Sequence, residues 1–256
     1  MLLVIDVGNT NGVFALYEGE TLRQSWRLQT VRGRTADEYA AFLGPMFHLA
    51  GVAFGAVKDV LVSSVVPETH FALRGFCETY LGRVPHFLTK DSIPIEIALD
   101  RPEDVGADRL VNALAVKVFY RFPAIVIDFG TATTFDVIDQ QGRYAGGVIA
   151  PGLELSLEAL HKAASKLPKV TVQKPPRVIG KHTTEAMQAG LYWGYVGLTE
   201  GIVARIKAEL GGDVFVLATG GLATLFAGDM PFIETVDQDL TLKGLQIVYN
   251  FNERKP

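Results

Sequence analysis

The chain has 256 residues, 48% of them hydrophobic, enough to bury one large core or two of ordinary size. Its net charge of −4 and its scattered Lys and Arg residues exclude the basic surface of a nucleic-acid binder. A single cysteine, Cys77, rules out an internal disulfide and reads as a small buried hydrophobe in a reducing, cytoplasmic compartment. No run is long enough to span a membrane, and the opening residues form a strand pattern without the basic start of a secretory leader.

Residues 2–5 predict a buried strand that ends in the polar turn Asp6-Val-Gly-Asn-Thr-Asn11. Strands at 12–17 and about 21–28 follow, joined by a turn at Glu18-Gly19, and the three make an antiparallel meander. Thr35-Ala-Asp-Glu38 fits a capping box, with a helix over 39–52 behind it. A β-branched run at 60–66 stops at Pro67, a helical period covers 71–81, and a short apolar stretch fills 85–88. The segment after Arg109 is again helical, with apolar positions at Leu110, Val111, Leu114, Val118 and Phe119.

The second half opens in the same way. A buried strand at 124–127 runs into Asp128-Phe-Gly-Thr-Ala-Thr133, then come strands at 134–138 and 144–149 around a turn at Gln140-Gln-Gly142. Helices are expected at 153–165 and 184–210, a buried strand at 214–218 ending in Thr219-Gly220-Gly221, and a closing helix at 241–250 that could dock on either half. The two aspartates lie 122 residues apart, a domain-sized interval, so the pattern predicts a duplication with domains at 1–121 and 122–256. The boundary falls where a helix stops before Pro123.

A strand that ends in Asp-x-Gly and turns back suits a nucleotide. Glycine lets backbone N–H groups approach phosphate oxygens, and Asn9, Thr10 and Asn11 add side-chain donors at the same rim. A carboxylate beside polyphosphate is repelled unless a cation separates them, so Asp6 and Asp128 predict a bound metal as well as phosphate. One such turn alone would read as an ordinary hairpin; two at this spacing favour the nucleotide. Neither a Walker loop nor a dinucleotide Gly-x-Gly-x-x-Gly is present after the opening strands.

Asp108, in Val105-Gly-Ala-Asp-Arg-Leu110, sits where an acid caps a helix and complements its dipole. The adjacent Arg109 adds a second role, in which Arg binds a substrate carboxylate or hydroxyl while Asp accepts a proton. The other histidines, His48, His70, His86 and His161, show no ligand spacing and read as packing or surface residues. Glu154 and Glu158 share a helical face that reads as solvated.

Taken together and in order, Asp6-Val-Gly-Asn-Thr-Asn11, Gly106-Ala-Asp-Arg109, Asp128-Phe-Gly-Thr-Ala-Thr-Thr134, Gly146-Gly-Val-Ile-Ala-Pro-Gly152, Gly180-Lys-His-Thr183 and Thr219-Gly-Gly221 cover nearly the whole chain. In this the chain resembles the actin, sugar kinase and heat-shock ATPase superfamily, and more narrowly the type III pantothenate kinases. The resemblance implies an α/β fold of two duplicated ribonuclease-H-like (actin-like ATPase) domains. Each would be a mixed five-stranded sheet with flanking helices, and the active site would lie in the interdomain cleft. It implies ATP-dependent phosphorylation of pantothenate, the first step of coenzyme A biosynthesis, with a divalent metal, magnesium, travelling with ATP. Asp6, Val7, Gly8, Asn9, Thr10, Asn11, Gly12 and Val13 would form the ATP phosphate loop, with Thr131 contributing from the second turn. Gly106, Ala107, Asp108 and Arg109 would hold pantothenate, Asp108 acting as proton acceptor. Asp128 would bind a monovalent cation, potassium or ammonium, and Thr183 would complete the pantothenate site across a homodimer interface.

Two positions depart from the family pattern: Leu99 stands where an aromatic is expected, and His182 replaces an asparagine and reads as a surface residue at a helix start. Two other functions compete. One is a kinase of the same superfamily with a different small substrate, against which Gly106-Ala-Asp-Arg109 argues. The other is a non-enzymatic ATP-binding transcriptional accessory protein, which the acidic chain and the intact Asp6, Asp108 and Asp128 disfavour.

Overall fold

The computed structural model describes residues 1–163, 167–168 and 170–253. They pack as two compact units. The first comprises Met1–Pro94, Asp104–Ala115 and the chain from Thr241 onward; the second comprises Ile95–Glu103 and Val116–Leu240.

In the first unit, β1 (Leu2–Val7), β2 (Asn11–Glu18) and β3 (Thr21–Gln29) form the expected antiparallel meander. β4 (Asp59–Ser64) then pairs parallel to β1, and β5 (His86–Phe87) parallel to β4, giving the order β3-β2-β1-β4-β5. Leu3, Val4 and Ile5 of β1 are fully buried, so the strand is apolar on both faces, which explains its unbroken hydrophobic run. One face packs Leu3, Ile5, Phe14 and Leu16 against Leu43 and Phe47 of α1 (Ala36–Leu49) and Leu73 and Phe76 of α2 (His70–Phe76). The predicted capping box is present: the Thr35 hydroxyl accepts the Glu38 N–H at 3.2 Å while Glu38 accepts the Thr35 N–H at 2.7 Å. The helix therefore starts at Ala36, earlier than its apolar period suggested. The helical stretch expected to 81 is α2 followed by a wider π turn over Cys77–Leu81. α3 (Ala107–Phe119) contributes its first turns to this unit, and α7 (Leu240–Glu253) packs here too. Thr241 donates to Asn112 at 2.8 Å and Gln246 to the Gly19 carbonyl at 3.0 Å.

The second unit repeats the plan. β6 (Ala124–Phe129), β7 (Ala132–Ile138) and β8 (Tyr144–Pro151) form the meander. β9 (Phe215–Thr219) is parallel to β6 and β10 (Thr235–Val236) to β9, in the order β10-β9-β6-β7-β8. Read from its meander edge, this is the strand order of the first sheet. β1 and β6 even share one burial pattern, in which only the aspartate of an otherwise buried strand is partly exposed. The short segment 95–103 joins β8, with the Tyr144 N–H donating to the Glu96 carbonyl and the Ala98 N–H to the Tyr144 carbonyl. The core centres on Phe226 of α6 (Ala223–Phe226), whose ring lies 5.5 Å from Phe129, 5.0 Å from Tyr192 and 6.0 Å from Tyr195. Both tyrosines come from α5 (Thr183–Leu210). α4 (Leu153–Ala163) matches the helix expected from 153; residues 164 and 165 of that expectation lie outside the described residues. No helix among the described residues is long and apolar enough to cross a membrane.

Candidate active site

β1 carries Asp6 to the carboxyl end of the first sheet, the edge at which open α/β sheets bind ligands. Asp6 is partly exposed and stands in register with Val13 on β2 and Ser63 on β4. Burial pushes its carboxyl up to about 6; a hydrogen bond from Ser63 opposes that rise, and the negative charge of Asp108 adds to it. The fold has thus brought the first Asp-x-Gly turn and the Gly-Ala-Asp-Arg segment within electrostatic reach inside one unit. The loop after Asp6 closes through the Gly8 N–H, which donates to the Asn11 carbonyl at 3.0 Å. Thr30 then pins it twice, its hydroxyl donating to the Gly8 carbonyl at 2.7 Å and its N–H to the Thr10 carbonyl at 2.8 Å. Asn9, Thr10 and Asn11 face solvent, whereas Val7 and Gly12 are buried in the sheet. The Val7 carbonyl is already occupied by the Val65 N–H at 3.0 Å.

Gly106, Ala107, Asp108 and Arg109 are each partly exposed, between the buried Val105 and Leu110. Asp108 lies in the first turn of α3, and its Oδ1 accepts the Arg109 N–H at 2.9 Å. Asp108 is thus an acid in the first helical turn, where it complements the dipole, and its charge also reaches Asp6.

In the second unit the Asp128 turn closes one residue tighter, the Gly130 N–H donating to the Ala132 carbonyl at 3.1 Å. Asp128 is partly exposed and in register with Thr134 on β7 and Thr219 on β9. Gly220 turns the chain at φ +89°, and any side chain there would run into the Asp128 carboxylate and the Phe129 backbone. Thr131 is exposed at the tip of the turn, and the Tyr195 hydroxyl donates to the Pro151 carbonyl at the end of β8. Thr183 stands on a different element, exposed at the first position of α5, with His182 as the helix cap. Glu154 is exposed and Glu158 pairs with Lys162 at 2.6 Å, so that helix face is solvated. Cys77 is fully buried and its thiol is pushed up to about 12, which makes it packing and not a nucleophile.

The sequence reading missed Ser63 and Thr30. Ser63-Ser64 is a polar pair at the carboxyl end of a buried strand, a placement that could have flagged Ser63. Nothing local marks Thr30, whose role depends on the meander's register.

Two matched sheets of this topology, each opening on an Asp-x-Gly turn, define the actin-like ATPase fold of the sugar kinases and their relatives. A solved structure with that fold is the activator of the 2-hydroxyisocaproyl-CoA dehydratase from Clostridium difficile with bound ADPNP, which is 15% identical at a TM-score of 0.57, covering 98% of this chain and 94% of its own. The sequence profile of the type III pantothenate kinases matches residues 2–205. A type III pantothenate kinase from Syntrophotalea carbinolica is 52% identical over 99% of this chain and 100% of its own length. Another from Paramagnetospirillum magneticum is 52% identical over 98% of each. The chain belongs to the type III pantothenate kinase family, a family of kinases that use ATP with a divalent metal.

Proposed function

We propose that this chain transfers the γ-phosphoryl group of ATP to the primary hydroxyl of pantothenate, the first step toward coenzyme A, as a cytoplasmic homodimer. The observation that carries the reading is Asp108, a partly exposed carboxylate whose charge reaches Asp6, in a chain matched over its whole length by this family.

Phosphoryl transfer needs positioning and charge stabilisation more than covalent help. Asp108 orients the pantothenate hydroxyl and accepts its proton as the new O–P bond forms and the bond to ADP breaks. Arg109 and the backbone of Gly106 and Ala107 hold the rest of pantothenate, with Thr183 completing the site across the homodimer interface. Residues 6–13 cradle the ATP phosphates, with the backbone amides and the exposed Asn9, Thr10 and Asn11 as donors. Thr131 assists from the second turn. Asp6 would be the residue nearest the divalent metal that travels with ATP, whose charge would offset the phosphates and favour the ionised carboxylate.

Asp128 holds a monovalent cation, potassium or ammonium. Its in-register neighbours, Thr134 and Thr219, make oxygen the donor type of that row, which suits a hard cation. When bound, such an ion would supply positive charge at the second Asp-x-Gly turn. Incubation with ATP, pantothenate, magnesium and potassium should yield phosphopantothenate by mass spectrometry. ATP consumption only with another hydroxylated substrate would overturn the assignment.

A further inference from the structure

The segment that leads into α5 carries two arrangements that the reaction does not explain. Glu185, in the first turn of α5, reaches back and accepts the Lys181 N–H at 2.9 Å. Its carboxylate also lies 4.0 Å from Arg177 Nε and 3.6 Å from His182 Nε2. In the other direction His182 Nδ1 accepts the Glu185 N–H at 3.4 Å, and the His182 carbonyl accepts the Ala186 N–H at 2.9 Å. The result is a reciprocal clasp, with a histidine in the place usually held by Ser or Thr. The second arrangement is backbone packing. Gly180 lies so close to the helix that a Cβ there would meet the Ala186 nitrogen and Cα and the Glu185 carbonyl carbon. Those neighbours are helix backbone and cannot yield.

We infer that Glu185 and Gly180 form a clamp that fixes the turn bearing Thr183, so that Glu185 is a positioning residue for pantothenate binding. The inference rests on the assignment of Thr183 to the pantothenate site. Neither clamp residue is catalytic. Each acts by keeping Lys181, His182 and Thr183 in one conformation, so that pantothenate selects no minor state when it binds. The carboxylate is well placed for this: it is partly shielded from solvent, and the Lys181 N–H and the nearby Arg177 charge hold it below the usual carboxylate range.

The test compares Glu185→Ala, Glu185→Gln, Gly180→Ala and Thr183→Ala in the full-length protein by steady-state kinetics. Releasing the turn until about a tenth of it is competent raises the pantothenate KM about tenfold, with kcat and the ATP KM changed less than about twofold. Glu185→Gln keeps an oxygen acceptor for the Lys181 N–H and should recover most of the loss. Glu185→Ala combined with Gly180→Ala should be clearly less than additive, because both act on one turn. If Thr183→Ala raises the pantothenate KM but Glu185→Ala and Gly180→Ala do not, the clamp is refuted. If Thr183→Ala itself leaves that KM unchanged, the assignment of Thr183 fails instead. A proportionate rise in both KM values, or a fall in kcat alone, would show that Glu185 serves stability in general and overturn the positioning role.

Discussion

Asp6→Asn should stabilise the free protein while abolishing its use of ATP. The rise of the Asp6 carboxyl from 3.8 to about 6 means that ionising it is unfavourable in the folded chain. A shift of that size, at about 1.4 kcal/mol per unit, amounts to about 3 kcal/mol as an upper limit for a group that keeps some solvent contact. The folded pKa exceeds the unfolded one, so the native state binds the proton more tightly. Its contribution is complete below pH 3.8 and is lost as pH climbs through about 6. Asparagine has no such proton and can still accept the Ser63 hydrogen bond. The variant should therefore melt roughly 5–10 °C above wild type at pH 8, the gap closing as pH falls toward 4. Thermal melts across that range, with and without magnesium ATP, measure this directly. Added nucleotide should raise the wild-type Tm and leave the variant unmoved. A gap independent of pH, or a variant less stable than wild type at pH 8, would refute the buried-carboxylate reasoning.

Asp108→Asn should lower kcat by roughly 10²–10⁴-fold with the fold intact by circular dichroism; near wild-type turnover would remove Asp108 as the base. Turnover should depend on potassium or ammonium and fall when sodium replaces them, and Asp128→Asn should abolish the difference between the ions. Indifference of the wild type to the exchange would count against a cation at Asp128. Phe226→Ala removes the fully buried ring that packs on Phe129, Tyr192 and Tyr195, and should cost about 3–5 kcal/mol in denaturant titrations. A loss under about 1 kcal/mol would show that the second core does not depend on that ring.

Much of the fold was legible because the informative signals are local. The Asp-x-Gly turns, the capping box at Thr35 and the apolar runs of β1 and β6 are each written in a few consecutive residues. β5 and β10 were not foreseen as strands, because two residues carry no period; both exist only by pairing with a longer parallel neighbour. The four-residue α6 escaped for the same reason. At the candidate site, Asp6 and Asp108 could be named from sequence, but their mutual repulsion depends on how α3 sits against the end of β1. Ser63 enters through a parallel register between β4 and β1. His182 was correctly placed at a helix start, yet its clasp with Glu185 needed the side-chain geometry.

The docking of α7 on the first unit has a consequence for biosynthesis. Thr241 bonds to Asn112 in the helix that carries Asp108, Gln246 to the hairpin turn at Gly19, and Asn252 to the Ser92 carbonyl. These contacts join segments more than a hundred residues apart in the chain, and such pairings form slowly and late. A ribosome that has made only the first hundred-odd residues has synthesised both acids of the first unit's site without the helix that supports α3. The second unit can complete its own sheet before the first is finished. Chains truncated before α7 and released from the ribosome should therefore show protease-resistant second-unit fragments while the first turns of α3 remain cleavable. The kinase would then be switched on by the emergence of one helix, well after both acids have been synthesised.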